Sequence, residues 1–181
     1  MNKEKVLKIY LKKAKKCEED AKLIMKWRNN ITTLQMSYDS RPKKLALFYQ
    51  EYRKDYFNDH NLQPQFAILN NSKVGFLRFK IYKDKKIIGK AVDIGVNIDP
   101  EKRGLGIGLQ TIKTSSNFLL KKGFQYIIAE IKEHNIASIK AFQKAGFLFF
   151  DKLIKRIDRL QKEEQIIRMV LKVSANKYEF K

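Results

Sequence analysis

The sequence has a single cysteine, Cys17, and only two histidines. One cysteine excludes an intrachain disulfide and any metal site built on a cysteine cluster. No apolar run approaches the ~20 residues that a membrane-spanning helix needs. The opening Met1-Asn2-Lys3-Glu4-Lys5 has no apolar stretch behind it of the kind a secretory signal requires. Acidic residues are scarce: 19 Asp and Glu stand against 39 Lys and Arg. Glu18-Glu19-Asp20 and Glu163-Glu164 are the main acidic runs. The expectation from these absences is a metal-free, cytoplasmic protein without a membrane span.

What is present points to a folded chain. Hydrophobic residues make up 44% of the 181 positions and charged residues 32%, which is too apolar for a disordered polymer. A chain of this length buries roughly 70% of its unfolded surface, enough for a core. A single domain over residues 1–181 is expected.

The net charge of +20 suits phosphate-bearing partners. The excess, however, is mostly lysine (31 Lys against 8 Arg) and it is spread along the chain. Lys12-Lys13, Lys15-Lys16 and Lys83-Asp84-Lys85-Lys86 are its densest runs, and none reaches the length of a basic tail. Base reading favours Arg, Asn and Gln. Nucleic acid is therefore not the expected partner. A lysine-biased solvated surface, or a cradle for a smaller polyphosphate, accounts for the charge.

Apolar spacing gives the order of elements. Val6–Leu11 alternates as a strand. A helix opens at Glu18-Glu19-Asp20 and runs through Trp27 to Asn30, and a second follows Pro42, with Leu45, Leu47, Phe48, Tyr52 and Tyr56 on one face. Residues 59–65 read as a loop. Strands are expected over 66–69, 74–82 and 91–98, with the last ended by Asp99-Pro100. A helix over 107–122 is stopped by Gly123. A strand over 124–132 leads to a helix that Asn135 caps and Gly146 ends. Residues 147–154 and 165–173 close the pattern as two strands. The fold class is α/β: one mixed, mostly antiparallel sheet flanked by helices.

Arg103-Gly104-Leu105-Gly106-Ile107-Gly108 lies directly between a strand and a helix. A helix start presents unpaired N–H groups and partial positive charge, and glycines let a ligand approach the backbone. Together they make an anion site. A plain tight turn is the structural alternative. The P-loop pattern fails, because Gly108 is followed by Leu109-Gln110 instead of Lys-Ser/Thr. The dinucleotide pattern fails too, because its third glycine comes one residue early.

The turn does fit Arg/Gln-x-x-Gly-x-Gly/Ala, the acetyl-coenzyme A motif of the GCN5-related N-acetyltransferases, with Arg103, Gly106 and Gly108. Val92-Asp93-Ile94-Gly95-Val96-Asn97-Ile98-Asp99-Pro100 resembles that family's fourth strand. The segment from Asn135 through Ser138 and Phe142 to Gly146-Phe147 resembles its second cofactor motif. The resemblance spans about residues 4–173 and is strongest over 66–150.

The resemblance implies direct attack of an amine on the thioester of acetyl-CoA. It implies a cradle at Arg103, Gly104, Leu105, Gly106, Ile107 and Gly108. It implies a pantetheine arm paired with the main chain of Gly95, Val96, Asn97 and Ile98, and further cofactor contacts at Asn135, Ser138 and Phe142. Glu130 matches the position of the base in some relatives, and Asp93 is the second candidate; each has a structural alternative as a carboxylate bonded to main chain. His134 reads as a solvated surface residue. Where the family often places a tyrosine to protonate the thiolate, this chain has Phe142, so no acid is assigned.

Trp27-Arg28-Asn29, the strand around Arg78, and Ile131–Phe142 resemble acetyltransferases of nucleotide-linked amino sugars. That reading makes Arg28, Arg78 and Arg41 candidates for a sugar diphosphate. A peptide or ribosomal-protein acceptor is the alternative. A non-catalytic acyl-CoA sensor, or a basic nucleic-acid-binding module, is the reading outside enzymes. Self-association stays open.

Overall fold

The structure, a computed structural model, describes residues 7–157 and 162–172. The elements in order are β1 (Tyr10–Lys13), α1 (Glu18–Arg28), α2 (Ile31–Met36), α3 (Leu45–Asp55), β2 (Gln65–Leu69), β3 (Ser72–Tyr82), β4 (Ala91–Ile98), α4 (Ile107–Lys121), β5 (Tyr126–Lys132), α5 (Ile136–Lys144), β6 (Leu148–Ile157) and β7 (Lys162–Lys172). A 3-10 turn, Pro100–Lys102, joins β4 to the glycine segment. The strands form one seven-stranded sheet in the order β1-β2-β3-β4-β5-β7-β6. Every pair is antiparallel except β4 with β5. The expected α/β class with a mostly antiparallel sheet is what forms.

Two details differ from the sequence expectation. The first strand is Tyr10–Lys13 rather than 6–11, and Val6 lies outside the described residues, as does Val173 at the end of the last strand. Alternation over 6–11 is misleading because Ile9 and Leu7 pack on the core from irregular backbone, while the paired residues include exposed Lys12 and Lys13. Such lysines suit a sheet edge, where they discourage further pairing. Three helices, not two, precede β2. The additional one, α2, is short and begins Ile-Thr-Thr, which propensity disfavours. Its start is held by Asn30, whose side chain accepts a hydrogen bond from the Thr33 N–H at 3.4 Å.

Strand alternation divides the core in two. On one face, Leu77, Phe79, Val92, Ile94, Ile127, Ala129 and Met169 pack with Ile107, Ile112 and Leu119 of α4 and Phe142 of α5. On the other, Phe66 and Phe76 meet Ile24 and Trp27 of α1 and Phe48 and Tyr52 of α3, with Tyr56 just beyond it. This second cluster is aromatic: Trp27 meets Phe66 edge-on at 6.1 Å, and Phe66 lies 5.5 Å from Phe76. The apolar covering stops there. From the outer half of β3 across to β6, the same face carries Arg78, Lys80, Tyr82, Asp93, Glu130, Lys155 and Arg168.

Phe66 is only 1% exposed, between two aromatics and under the Lys73 ammonium at 4.4 Å. Phe66→Ala is expected to cost about 3–5 kcal/mol, read as a lower urea midpoint with an unchanged slope.

Candidate active site

The parallel pair β4–β5 is short. Ala91, Val92 and Asp93 register with Tyr126, Ile127 and Ile128, and there the pairing ends, although β4 continues to Ile98 and β5 to Lys132. Both strands stay paired on their other sides, to β3 and β7. The edges of Gly95, Val96, Asn97 and Ile98 that face β5 therefore look into a wedge. Gly95 is exposed, and a Cβ there would meet nothing nearer than the Arg78 carbonyl at 3.8 Å. The Asn97 side-chain nitrogen is buried without a hydrogen-bond partner. Unpaired main chain along the wedge, and an unsatisfied donor on the same stretch of β4, fit an extended, amide-bearing ligand.

The wedge opens toward the start of α4. Gly104 and Gly106 have φ of +78° and +76°, a region that L side chains rarely adopt, and a Cβ on either would meet nothing within 4 Å. Gly106 caps α4 without a side chain, leaving the first-turn N–H groups of Ile107 and Gly108 free for a ligand. At Gly108 a Cβ would only touch Ile98 Cγ1 at 3.7 Å, so the backbone itself does not demand glycine there. Leu105 is exposed and Ile107 is buried in the core. The Arg103 side chain is turned away from the turn: it donates to Asn30 Oδ1 and the Ile98 carbonyl at 3.4 Å each, and to Thr33.

At the start of α5, Asn135 Oδ1 accepts from the Ser138 N–H at 3.2 Å, as the expected cap. Phe142 is 5% exposed and stacks edge-on against Phe147 at 4.9 Å. Its ring is thus a core group, and the expected cofactor contact at Phe142 has no exposed ring to make it. His134 is exposed, as expected of a surface histidine.

Asp93 is the last paired residue before the wedge, and Glu130 lies two residues beyond its partner Ile128 on the same face. Glu130 is anchored rather than free. Tyr38 and Tyr82 each donate a phenolic hydrogen bond to it at 3.2 Å, and Lys155 forms an ion pair with it. Tyr82 is itself held by Arg168, which donates to its oxygen at 2.7 Å. Arg168 is 5% exposed; it grips Asp151 with two bonds of 2.5 Å and also pairs with Asp84. These pairings hold Asp151 down at about 2. Burial and the Glu130 charge push the Tyr38 phenol up.

Tyr38, Tyr82, Lys155 and Arg168 carry no motif and were not among the expected site residues. The cross-strand register Glu130–Arg168, and a tyrosine alternating with Lys80 on β3, are their sequence traces.

Arg28 and Arg78 converge on one ring. Arg28 donates to the Tyr56 hydroxyl at 2.7 Å, and the Arg78 guanidinium sits 4.4 Å from the Tyr56 ring centroid. Neither has a carboxylate ion-pair partner among the described residues. Arg41, by contrast, is exposed and paired with Asp39 at 3.0 Å.

Asp93 has no side-chain hydrogen bond among the described residues, and burial, reinforced by the Glu130 charge, raises its pKa from 3.8 to about 6. A raised carboxyl pKa means the fold favours the protonated form. The associated stability is present at pH 4 and is lost as pH rises through about 6. Asp93→Asn removes that loss. It is expected to gain on the native protein by up to about 2–3 kcal/mol between pH 4 and pH 7, measured by urea unfolding at both pH values. A parallel pH dependence of the two proteins would contradict the assigned environment.

A profile of the acetyltransferase (GNAT) family matches residues 27–147. A Bacillus subtilis (strain 168) protein named "Putative phosphinothricin acetyltransferase YwnH" is 24% identical over 100 residues. That match spans 54% of this chain and 61% of the relative's length, which is less than two thirds of it. The solved structure of the aminoglycoside acetyltransferase AAC(6′)-Ib in complex with coenzyme A superposes with a TM-score of 0.75 at 16% identity, over 91% of this chain and 95% of that one. Salmonella typhimurium yncA, solved with its cofactor acetyl-CoA, gives a TM-score of 0.70 at 16% identity, over 93% and 96%. The structural likenesses show a shared fold. The family match covers well over half of the sequence and includes β4, the glycine turn, Glu130 and Asn135, so the chain belongs to the acetyltransferase (GNAT) family.

Proposed function

We propose that this protein is an acetyl-CoA-dependent N-acetyltransferase acting on a primary amine of a small molecule, and that the acceptor is a nucleotide-linked amino sugar. The observation that carries the reading is the wedge between β4 and β5, with a glycine cradle at its mouth and two carboxylates at its apex. Acetyl-CoA, when bound, supplies the acyl thioester. The N–H groups at the start of α4 would hold its pyrophosphate, and the open edge of Gly95–Ile98 its pantetheine amides.

The chain's own part is to orient the amine and remove its proton. The Glu130 charge acts on Asp93. Lys155 and two phenols hold Glu130 and aim it, while burial and the Glu130 charge raise the Asp93 carboxyl to about 6. One pair thus offers a fixed acceptor and a tunable one, and a bridging water can carry the proton. No side chain is assigned to protonate the departing thiolate, which has a Cys-like pKa of about 8.5 and leaves tolerably as an anion.

Support for the acceptor comes from Arg28 and Arg78, two guanidiniums on Tyr56 without carboxylate partners among the described residues, which suit a diphosphate. The relatives named for phosphinothricin and aminoglycosides support a small-molecule amine in general.

The test is a thiol-release assay with acetyl-CoA across amino sugars, nucleotide-linked amino sugars, aminoglycosides, polyamines and peptides. The expected result is fastest turnover on a nucleotide-linked amino sugar, since binding energy from the remote diphosphate positions the amine. Arg78→Ala should then raise KM for that acceptor and leave the free sugar unaffected. Preference for a peptide amine would overturn the acceptor and leave acetyl transfer standing.

In the same assay, Glu130→Gln is expected to lower kcat/KM by about 10²–10⁴. The deficit should narrow at high pH, where the amine is already neutral. A wild-type rate at pH 7 would move the role to Asp93 or to water.

A further inference from the structure

The end of the sheet opposite the glycine cradle has no part in the chemistry above, yet its composition is unusual. β3 ends there, β4 and β5 begin, β7 ends and β6 begins. The loop joining β3 to β4, residues 83–90, projects from it with Ile88 at its tip, 91% exposed. Four exposed lysines of the same loop surround that isoleucine: Lys83, Lys85, Lys86 and Lys90.

The loop leans toward β6 rather than standing free. Asp84 is gripped by Arg168, and Lys86 reaches Asp151 at 2.9 Å. At its other end the Gln125 side chain accepts from the Lys90 N–H at 3.1 Å. The first residues of β6 at this end are Leu148 and Phe149, 72% and 59% exposed. Lys144, just before β6, and Lys172, at the end of β7, add further exposed positive charge. The carboxylates beside the loop are Asp84 and Asp151; both pair with Arg168, and Asp151 also with Lys86.

We propose that this end of the protein is a peripheral docking surface for an anionic lipid bilayer, with Ile88 entering the headgroup region and the surrounding lysines meeting lipid phosphates. An exposed apolar tip ringed by exposed lysines gains from both parts of such a surface. A second copy of the chain would bring the same lysines face to face. Nucleic acid would satisfy the lysines, but it offers nothing to a solvent-facing isoleucine and would favour Arg and exposed aromatic stacking. The docking surface is independent of which amine the active site accepts.

The experiment is co-sedimentation of the full chain with phosphatidylcholine vesicles, with and without about one third phosphatidylglycerol, at ~0.15 M salt. Binding is expected only to the anionic vesicles. Ile88→Asp should weaken it by about tenfold or more, and Lys85→Ala and Lys90→Ala by about fivefold each. Acetyl-CoA turnover on a soluble amine should be unchanged in the Ile88→Asp protein, which also confirms its folding. Absence of vesicle binding, or binding indifferent to Ile88, would overturn the proposal. So would tighter binding of polyuridylate RNA than of the anionic vesicles, which would mark the surface as a nucleic-acid site.

Discussion

The constraint on which the rest depends is the failure of β4 and β5 to stay together. A parallel pair that parts after Asp93 and Ile128 leaves main-chain donors and acceptors facing a gap inside an otherwise continuous sheet. Such groups are costly to leave unsatisfied, and the fold meets that cost only partly by itself. The β3 and β7 pairings hold each strand in position, so the wedge stays open instead of collapsing. The glycine turn follows the end of β4 after one 3-10 turn, and α5 begins four residues after the end of β5. Both helix starts are therefore delivered to the mouth of the same wedge by strand direction alone.

The second organising feature is the unequal covering of the two sheet faces. One face is sealed by α4 and α5 along most of its length. The other is sealed by α1 and α3 only over β2 and the near part of β3. Beyond that limit the face carries charge, and the charges are cross-braced. Arg168 holds Asp84, Asp151 and Tyr82, and Tyr82 holds Glu130. A buried guanidinium of this kind is well suited to positioning, because its fork fixes directions that a lysine would leave loose. Asp93 is outside the bracing, which is why its carboxyl is the one that burial pushes toward neutrality.

Local chemistry made part of this legible in the sequence. Gly104 and Gly106 between a strand and a helix, Gly108 in that helix's first turn, the Asn135 cap, and Gly123 and Gly146 as helix stops all act over a few residues. The helix α2 was hidden because its evidence is one capping asparagine in front of poor helix formers. The start of the first strand was misplaced because packing of Leu7 and Ile9 imitates strand alternation. Glu130 and Asp93 could be named from position, but their environments could not. Tyr38, Lys155 and Arg168 come from segments 92, 25 and 84 positions away from the groups they touch, and no spacing rule connects them. Arg28 and Arg78 were named for charge; their meeting on Tyr56 is a tertiary fact.

The central claim is that the open β4 edge and the glycine cradle together receive acetyl-CoA. Amide hydrogen exchange, followed by mass spectrometry as acetyl-CoA is titrated, tests it without altering the protein. New protection is expected only at the amides of residues 95–98 and the turn at 104–109, with the amides of β2 and α3 unchanged. Exchange that stays fast in both segments at saturating acetyl-CoA, or protection that appears elsewhere while these remain open, would contradict it.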